Sequence, residues 1–387
     1  MTVAKSNSLV ARLAAPPIPS VVAWGREYKG LKGPLIDLSQ AVPGYPAHPE
    51  MLRLLGEAAG QQAMTGYGPI EGEPLLRETY AAHLTELYGA DISAGNIHIT
   101  AGCNQAFMCA VIALAGAGDT AALTNPFYFN HDTTLSMLGI GRRLVDCDPA
   151  SGFLPDLRSA EAALAAGAKM LALVTPNNPT GAVYPPSLLH ELFVLCQKHG
   201  AWLILDETYR DFLVEGYGRP HSLLSEPGWE DTLVLLYSFS KSFCIPGHRL
   251  GAITAGPKLI AEIAKVMDNM QICAPRSAQV AVAAALPVLA DWRAGNRLEI
   301  ARRADALKLA ASGLAGWEIA AIGAYFAFVR HPFADQSSSE VAVRLAREAG
   351  VVCIPGAYFG EEQERYLRLA FANADVASIG LLPERLR

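Results

Sequence analysis

The amino-acid sequence predicts an α/β protein with two domains: a large one with a mostly parallel sheet sandwiched by helices, and a smaller α+β one. Three observations support this prediction. At 387 residues, the chain is longer than one hydrophobic core usually serves. Between residues 96 and 255, short apolar runs alternate with helix-like segments, as in parallel strands buried on both faces. From about residue 285, a long charged helix replaces that pattern.

The strands of the large domain are predicted from continuous apolar runs of strand length. These runs are NIHIT (96–100), TAALTN (120–125), MLALVT (170–175), WLILD (202–206), LVLLYS (233–238) and LGAITA (250–255). A helix is predicted directly after the first run, with Gly102 at its start, and another over residues 186–199. Polar clusters follow the runs, and ligands of open α/β sheets bind beyond the carboxyl ends of the strands. We therefore expect a binding site at that edge.

The smaller domain is predicted from the segments after residue 285. A long helix with paired charges, ADWRAGNRLEIARRADALKLA, precedes the strand-like runs WEIAAI, YFAFVR, VVCIP and YLRLAF, with a helix over 339–349. We assign residues 46–284 to the large domain and 285–387 to the small one. Residues 1–45, rich in Pro and Gly, are expected to pack with the small domain.

Composition and charge exclude several classes of protein. Hydrophobic residues make up 51% of the chain and charged residues 18%, and the formal net charge is −6. Without a basic block or an aromatic–basic stripe, a nucleic-acid partner is not expected. An anionic ligand would therefore be held by a few arginines and backbone amides rather than by a global field.

The cysteines and the apolar segments indicate a soluble cytoplasmic protein. Seven widely spaced cysteines without a Cys-x-x-Cys pair argue against a disulfide framework and against a metal site. The first twenty residues lack a clean apolar core and are broken by Pro16 and Pro17, so a signal peptide is not expected. The longest nearly apolar stretch, 278–290, is too short to cross a membrane.

Lys241, in SFSK after LVLLY, allows three interpretations. It could be an ordinary surface lysine. Ser238-x-x-Lys241 also matches the nucleophile motif of penicillin-recognising enzymes, but their Ser-Asp-Asn and Lys-Thr-Gly elements do not occur here. The third interpretation is a lysine that forms a Schiff base with pyridoxal phosphate.

The other strand ends supply a candidate for each group that a pyridoxal phosphate site needs. Asp206 could pair with the pyridine nitrogen, although a turn or a helix cap would explain it alone. Asn178 and Tyr209 could donate to the phenolic oxygen, and Tyr128 could cover the ring. The phosphate needs hydroxyls, an arginine and free amides at a helix start; the candidates are Gly102, Cys103, Asn104, Ser238, Ser240 and Arg249.

The order PNNPTG, DETY, SFSK and then Arg249 is specific where each motif alone is weak. From about residue 35 to 375, the chain resembles the class I and II aminotransferases, which are pyridoxal phosphate enzymes of fold type I. The resemblance implies that Lys241 forms the Schiff base and shuttles the proton, and that Asp206 holds the pyridine nitrogen. It assigns Tyr209 and Asn178 to the phenolic oxygen.

The resemblance extends to further cofactor contacts. Tyr128 matches the ring-stacking position, and Cys103, Asn104, Ser238 and Arg249 match phosphate contacts, with Ser240 a weaker match. His131 matches a histidine that supports the aspartate in some members, although an ordinary histidine at a helix start explains it equally well. Tyr67 matches a tyrosine that reaches the phosphate of the neighbouring subunit, which implies a homodimer with shared active sites.

The resemblance also implies substrate contacts. Arg368 matches the arginine that binds the substrate α-carboxylate, with Asn178 and Ala41 nearby. Ala41 departs from the glycine usual there and could narrow the carboxylate side of the pocket. In members that take dicarboxylic acids, a partner arginine contacts the distal carboxylate. Here the nearest positions hold Gln271 and, a few residues beyond, Arg276, so we expect a weak preference for aspartate.

The resemblance further suggests cis bonds at Asn125–Pro126 and Asn178–Pro179. The leading functional hypothesis is an aminotransferase that moves an amino group between an L-amino acid and a 2-oxo acid by a ping-pong mechanism through the Lys241 Schiff base. The main alternative is another pyridoxal phosphate reaction on this fold: C–S β-lyase, racemase, decarboxylase or amino-acid oxidase. A cofactor-binding sensor domain of a transcription regulator is disfavoured, because no helix-turn-helix pattern precedes the fold. No nucleic-acid or membrane partner is expected.

Overall fold

The computed structural model describes residues 6–387. Its helices are α1 (Ser8–Ala11), α2 (Pro17–Arg26), α3 (Pro49–Ala59), α4 (Pro74–Tyr88), α5 (Cys103–Leu114), α6 (Phe129–Leu138), α7 (Leu157–Ala165), α8 (Pro186–His199), α9 (Phe239–Ser242), α10 (Pro257–Met270), α11 (Arg276–Val288), α12 (Ala290–Ser312), α13 (Ser338–Arg344), α14 (Val376–Gly380) and α15 (Leu382–Arg385). Its strands are β1 (Ile36–Asp37), β2 (Ile97–Thr100), β3 (Thr120–Asn125), β4 (Gly141–Asp148), β5 (Leu154–Pro155), β6 (Met170–Val174), β7 (Trp202–Asp206), β8 (Leu233–Ser238), β9 (Gly251–Thr254), β10 (Glu318–Gly323), β11 (Phe326–Arg330), β12 (Val351–Val352), β13 (Ile354–Pro355) and β14 (Tyr366–Leu369).

The largest sheet of the described chain has eight strands in the order β2-β9-β8-β7-β6-β3-β4-β5. Strands β4, β3, β6, β7 and β8 run parallel to one another, and β6, β7 and β8 are buried along their lengths except for Trp202 at the start of β7. Burial on both faces explains why these strands are continuous apolar runs in the sequence. The predicted α/β fold with a large, mostly parallel sheet is confirmed.

Strand β9 differs from the sequence-based expectation of parallel strands. It runs antiparallel to both of its neighbours, β8 and β2. An apolar run indicates burial but carries no information about direction, so the pattern could not distinguish the two cases. The reversal has a structural consequence: the start of β9, rather than its end, lies at the carboxyl edge of the parallel strands, because Gly251 pairs with Ser238.

The carboxyl edge of this sheet therefore collects segments that are distant in the sequence. The loops after β2, β3, β6, β7 and β8 all leave the sheet on this side, and the segment before β9 enters it here. Three peptide bonds near this edge are cis: Asn125–Pro126, Thr175–Pro176 and Asn178–Pro179. Two of these were predicted from the resemblance, and Thr175–Pro176 was not.

Two smaller sheets lie in the rest of the described chain. Strands β10, β11, β14 and β13 form an antiparallel sheet in that order, and β1 pairs with β12 in parallel. The pairing of β1 with β12 ties the segment near Ile36 to the C-terminal third of the chain. Helix α12 is the long charged helix that the sequence predicted, and it begins at Ala290 rather than at residue 285.

Buried apolar side chains form two major clusters. One is built from residues between Met51 and Leu289, and the other mainly from residues 300–386 together with Ile36 and Leu38. We propose that these clusters are the cores of the large domain (46–284) and the small domain (285–387), with the N-terminal segment to residue 45 packed on the latter. Residues 1–5 of that segment lie outside the described part.

Within residues 6–387, no helix combines the length and the apolar character needed to cross a membrane.

Candidate active site

A cavity of about 400 Å³ opens at the carboxyl edge of the large sheet. It lies where the loops of the parallel strands meet the start of α2, the loop after β1, and β14. Most of the residues singled out in the sequence line this cavity: Ala41, Cys103, Asn104, Tyr128, Asn178, Asp206, Tyr209, Ser238, Ser240, Lys241, Arg249 and Arg368. Gly102 is the residue immediately before Cys103, at the N-cap of α5.

Lys241 lies on α9, a single helical turn that follows β8 directly. Ser238 caps this turn, because its Oγ accepts a hydrogen bond from the Ser240 amide at 3.3 Å. The Lys241 Nζ donates a hydrogen bond to the carbonyl oxygen of Ala41. Burial, reinforced by the charges of Arg249 and Arg368, lowers the pKa of Lys241 to about 8. The amine is therefore neutral in a substantial fraction of molecules near physiological pH, as a nucleophile or base requires.

This lowered pKa gives a prediction that needs no turnover. We expect the rate at which an amine-reactive reagent modifies Lys241 in the cofactor-free protein to rise with pH, with a midpoint near pH 8, because only the neutral amine reacts. A lysine in a model peptide has a pKa of about 10.4. Peptide mass spectrometry after brief labelling across pH 6–11 would measure the profile. A midpoint for Lys241 equal to that of a peptide standard would contradict the proposed environment.

Asp206 ends β7 and is buried at the floor of the cavity. Burial alone would raise its pKa, but hydrogen bonds and charge from His131, together with hydrogen bonds from Thr208, outweigh it and hold the pKa below its usual range. The Thr208 amide donates to Oδ1 at 2.9 Å, and His131 Nε2 lies 3.6 Å from Oδ2. The Cys103 thiol donates to Oδ2 at 3.3 Å. Asp206 is thus a preorganised carboxylate.

His131, on α6, is fixed by aromatic packing rather than exposed at a helix start. Its ring stacks on Phe107 with centroids 3.7 Å apart and meets the edge of Tyr128 at 5.2 Å. It is buried beside Asp206, which favours the interpretation that it supports the aspartate over that of an ordinary histidine at a helix start.

The N-terminus of α5 and Arg249 form one corner of the cavity. Gly102 has a φ of +90°, and a Cβ at this position would collide with the Arg249 guanidinium. Arg249 itself has a left-handed backbone, with a φ of 51°, and donates to the carbonyls of Pro246 (3.0 Å) and Ala101 (3.3 Å). The buried Ser240 hydroxyl has no hydrogen-bond partner within the described chain. Free helix amides, a guanidinium and an unpartnered hydroxyl together suit an anion.

Arg368 lies on β14, on the opposite side of the cavity, and is buried. Its Nη1 donates to Asn178 Oδ1 at 3.1 Å and its Nη2 donates to the carbonyl of Ser39, while its buried Nε has no partner among residues 6–387. The guanidinium stacks between Phe326 and Phe359, each ring centroid about 5 Å from Cζ. Burial lowers its pKa to about 10, so it remains charged at neutral pH. No carboxylate among residues 6–387 lies within ion-pair distance of it.

Two tyrosines border the space between these corners. The Tyr128 hydroxyl accepts from Asn130 Nδ2 at 2.8 Å and donates to Asn104 Oδ1 at 3.4 Å. Burial raises the pKa of Tyr128 to about 12 and that of Tyr209 well above its usual range, so both hydroxyls stay protonated. Tyr209 packs against Tyr325 and Phe326, and so against the second apolar cluster.

Tyr67 is a predicted site residue that the structure does not place with the others in the chain described here. It does not line the cavity, and 80% of it is exposed. Within one protomer the structure therefore does not bring it to the other site residues. The resemblance assigned it to the neighbouring subunit's site, which a single chain cannot test.

The sequence analysis missed several residues that line the cavity. They are mostly uncharged and come from the N-terminal segment, the loop after β1 and the start of α6: Pro16, Pro17, Ile18, Gln40, Val42, Phe129 and Asn130. Pro16 and Pro17 had served only as an argument against a signal peptide. The proline pair is a local signal for a helix start, but nothing in it indicates which cavity that helix approaches.

The sheet order and this arrangement at its carboxyl edge define the class of the protein: it is an α/β enzyme with the architecture of fold type I. The chain belongs to the family of class I and II aminotransferases, whose family model matches residues 33–386. It is accordingly a transferase of amino groups.

Relatives and solved structures agree with this assignment. An aromatic aminotransferase of Arabidopsis thaliana is 30% identical over 359 residues, 91% of this chain and 89% of that protein. An aspartate aminotransferase of Sulfolobus acidocaldarius is 27% identical over 357 residues, 89% of this chain and 86% of that one. The structure of a double mutant of Thermus thermophilus aspartate aminotransferase superposes with a TM-score of 0.90 at 26% identity, covering 99% of both chains.

Proposed function

We propose that this aminotransferase uses pyridoxal 5'-phosphate, held by a Schiff base to Lys241, to move an amino group between an L-amino acid and a 2-oxo acid by a ping-pong mechanism. One observation carries the proposal: a single cavity joins an amine of lowered pKa, an ionised buried carboxylate and two separate anion sites. When bound, the cofactor supplies an aldehyde that condenses with amines and a ring that withdraws electrons.

The chemistry of the lining residues fits this cofactor. A buried carboxylate is costly unless a cation partners it, and Asp206 lies at the cavity floor where a protonated pyridine nitrogen would supply one. The unpartnered Ser240 hydroxyl and the α5 amides lie where a phosphate would accept hydrogen bonds. We assign the phosphate to Gly102, Cys103, Asn104, Ser238, Ser240 and Arg249.

The remaining cofactor contacts follow from position. Tyr209 and Asn178 are assigned to the phenolic oxygen, since both are donors that line the cavity. Tyr128 would lie against the ring face, held in place by Asn130 and Asn104. Asp206 keeps its charge because the Thr208 amide donates to it and His131 Nε2 lies 3.6 Å away, and this charge would hold the proton on the ring nitrogen of a bound cofactor.

Lys241 and Arg368 have different roles toward the substrate. Arg368 binds the α-carboxylate through two parallel hydrogen bonds and so orients the substrate. Lys241 Nζ, when free, would take the proton from the substrate Cα and hold it for return to the aldehyde carbon of the bound cofactor, which its lowered pKa permits near neutral pH. The carbonyl of Ala41 holds this amine in place between transfers.

The role of Arg368 gives a testable prediction. We expect Arg368→Lys to lower kcat/KM for all amino donors by about 100-fold, mainly by raising KM, because an ammonium cannot reproduce the two-pronged contact. Steady-state kinetics would measure this change. Arg330→Lys, at a partly exposed arginine on the adjacent strand β11, is the matched control and should stay within about twofold. Equal effects of the two substitutions would refute the role assigned to Arg368.

We further propose a homodimer in which Tyr67 of the partner subunit reaches the phosphate. The support is that Tyr67 is a large aromatic residue left exposed next to a glycine-flanked turn and away from its own protomer's cavity. The cytoplasmic location predicted from the sequence stays a prediction.

The half-reactions test the proposed function directly. Protein loaded with pyridoxal phosphate should convert an amino acid into one equivalent of 2-oxo acid per site, and turn over further only when a second 2-oxo acid is added. Release of ammonia without an acceptor would instead indicate elimination or oxidation, and formation of carbon dioxide would indicate decarboxylation. Loss of optical purity without 2-oxo acid would indicate racemisation.

A further inference from the structure

The charged side chains that line the cavity leave none for a second substrate carboxylate. Among the described lining residues they are Asp206, Lys241, Arg249 and Arg368. The proposed function uses each of these for the cofactor or for the α-carboxylate. Every other lining side chain is uncharged, so any further charge on the substrate would have no counter-ion from this chain.

Most of the lining residues that the proposed function does not use are apolar. Because Lys241 Nζ contacts the carbonyl of Ala41, the neighbours of Ala41 flank the position where the substrate Cα must lie. One of these neighbours is Val42. Apart from Ala41, the N-terminal segment, this loop and α6 contribute five apolar lining residues, which we define as the side-chain wall: Pro16, Pro17, Ile18, Val42 and Phe129.

Packing holds two parts of this wall in place. Phe129 packs against Phe359 with ring centroids 5.4 Å apart. Ile18 packs on a smaller, separate cluster of buried apolar side chains, which includes Val21 and Phe359. The wall therefore rests on buried side chains rather than on a free loop. Gln40 and Asn130 add neutral polar groups at its edges.

A partner subunit of the same sequence would not supply a free cation through the segment around Tyr67. Residues 61–70, QQAMTGYGPI, contain no charged side chain. The nearest arginine, Arg276, is engaged: its Nε lies 2.5 Å from Glu73 Oε1, and its Nη1 donates to the carbonyls of Ala63 and Gly66. Gln271, the other residue considered for a distal carboxylate, receives a hydrogen bond from Gln105.

We propose that the side-chain wall is the subsite for the substrate side chain, and that it takes neutral, apolar or aromatic side chains rather than a second carboxylate. This inference rests on the proposed function. Placing a carboxylate against an apolar wall without a cation costs free energy, because the carboxylate loses its hydration and gains no charged partner. Beyond the weak preference for aspartate expected from the sequence, the subsite implies a preference for amino acids of the phenylalanine and leucine kind.

The parent enzyme gives the first test. We expect kcat/KM for phenylalanine and leucine to exceed the values for aspartate and glutamate by at least about 100-fold. Equal or higher values for the dicarboxylic acids would overturn the proposal.

A substitution in the wall gives the second test. Val42→Arg places a cation at the subsite and should raise kcat/KM for aspartate by at least about 10-fold while lowering it for phenylalanine. Val214→Arg, at an exposed valine that does not line the cavity, is the control and should leave the ratio unchanged. If Val42→Arg does not fold, Gln40→Arg replaces it as the test variant, because it places a cation at the edge of the same subsite. An unchanged ratio in a folded wall variant would contradict the subsite.

A binding measurement separates failure of the subsite from failure of the proposed function. Calorimetry with 3-phenylpropanoate and with succinate, which lack an amino group and cannot react, should give tighter binding of 3-phenylpropanoate to the cofactor-loaded protein. If that order holds but no amino acid is transaminated, the proposed reaction is wrong and the subsite stands. If succinate binds more tightly, the subsite is wrong whatever the reaction.

Discussion

Lys241→Ala is expected to lower kcat/KM for amino-group transfer by at least about 10⁴-fold, the largest effect of any single substitution in this chain. The substitution removes both the amine that attaches the cofactor and the base that moves the Cα proton, and each contributes separately to rate. Among the described residues that line the cavity, Lys241 is the only lysine, so no other lysine is placed to take over its role. Production of the 2-oxo acid from phenylalanine in steady state would measure the loss.

The control for this substitution is Lys258→Ala, at an exposed lysine in the first turn of α10 and away from the cavity. It should retain activity within about twofold. Thermal unfolding of both variants would show whether the protein remains folded. A folded Lys241→Ala protein that transaminates at the parental rate would refute the assignment.

Asp206→Asn is expected to give the second largest effect, a fall in kcat of about 10²- to 10³-fold, because it removes a preorganised negative charge from a buried site. The substitution keeps the size of the side chain and retains an oxygen that can accept the hydrogen bond from the Thr208 amide, with His131 still beside it. The loss should therefore appear mainly in kcat rather than in folding. Pre-steady-state measurement of the first half-reaction would isolate it.

The matched control is Asp231→Asn, at an exposed aspartate in the loop before β8. It should leave kcat unchanged within about twofold. Because Asp206 stays ionised above its lowered pKa, titration of this carboxyl group should not change the parental rate between pH 6 and 9. A parental kcat in the Asp206→Asn protein would exclude a role for this carboxylate in the chemistry.

Much of the large sheet could be predicted from the sequence because its strands are buried on both faces. The bounds of β3 (120–125), β7 (202–206) and β8 (233–238), and those of α8 (186–199), agree with the predicted ones. Continuous apolar runs mark such strands, and the polar clusters after them mark the functional edge. Direction is a property of pairing rather than of composition, so the antiparallel β9 was not predicted.

The residues of the candidate site also fall into two groups: those that the local sequence reveals and those that only the fold reveals. Asp206, Ser238 and Lys241 could be singled out because each directly follows or ends a strand, where local sequence determines position. Pro16, Ile18 and Phe129 could not, since tertiary packing alone brings the N-terminal segment and α6 to the cavity. A neutral lining residue also carries no chemical signal in a sequence, whereas a lysine between serines does.

The expectation of a weak preference for aspartate illustrates the limit of what the sequence alone reveals about substrate contacts. It rested on Gln271 and Arg276 as the nearest positions to a distal carboxylate contact. In the structure, the guanidinium of Arg276 is bound by Glu73 and two carbonyls, which the spacing of these residues along the chain does not reveal. Side-chain pairing across more than two hundred residues is decided by the fold.

The site of cofactor attachment tests the central claim most directly. Protein loaded with pyridoxal phosphate, reduced with borohydride and digested, should carry a pyridoxyl group on the peptide that contains Lys241 and on no other lysine. Mass spectrometry would locate it at one equivalent per chain. A pyridoxyl group found chiefly on another lysine, or a Lys241 peptide left unmodified in active enzyme, would contradict the account.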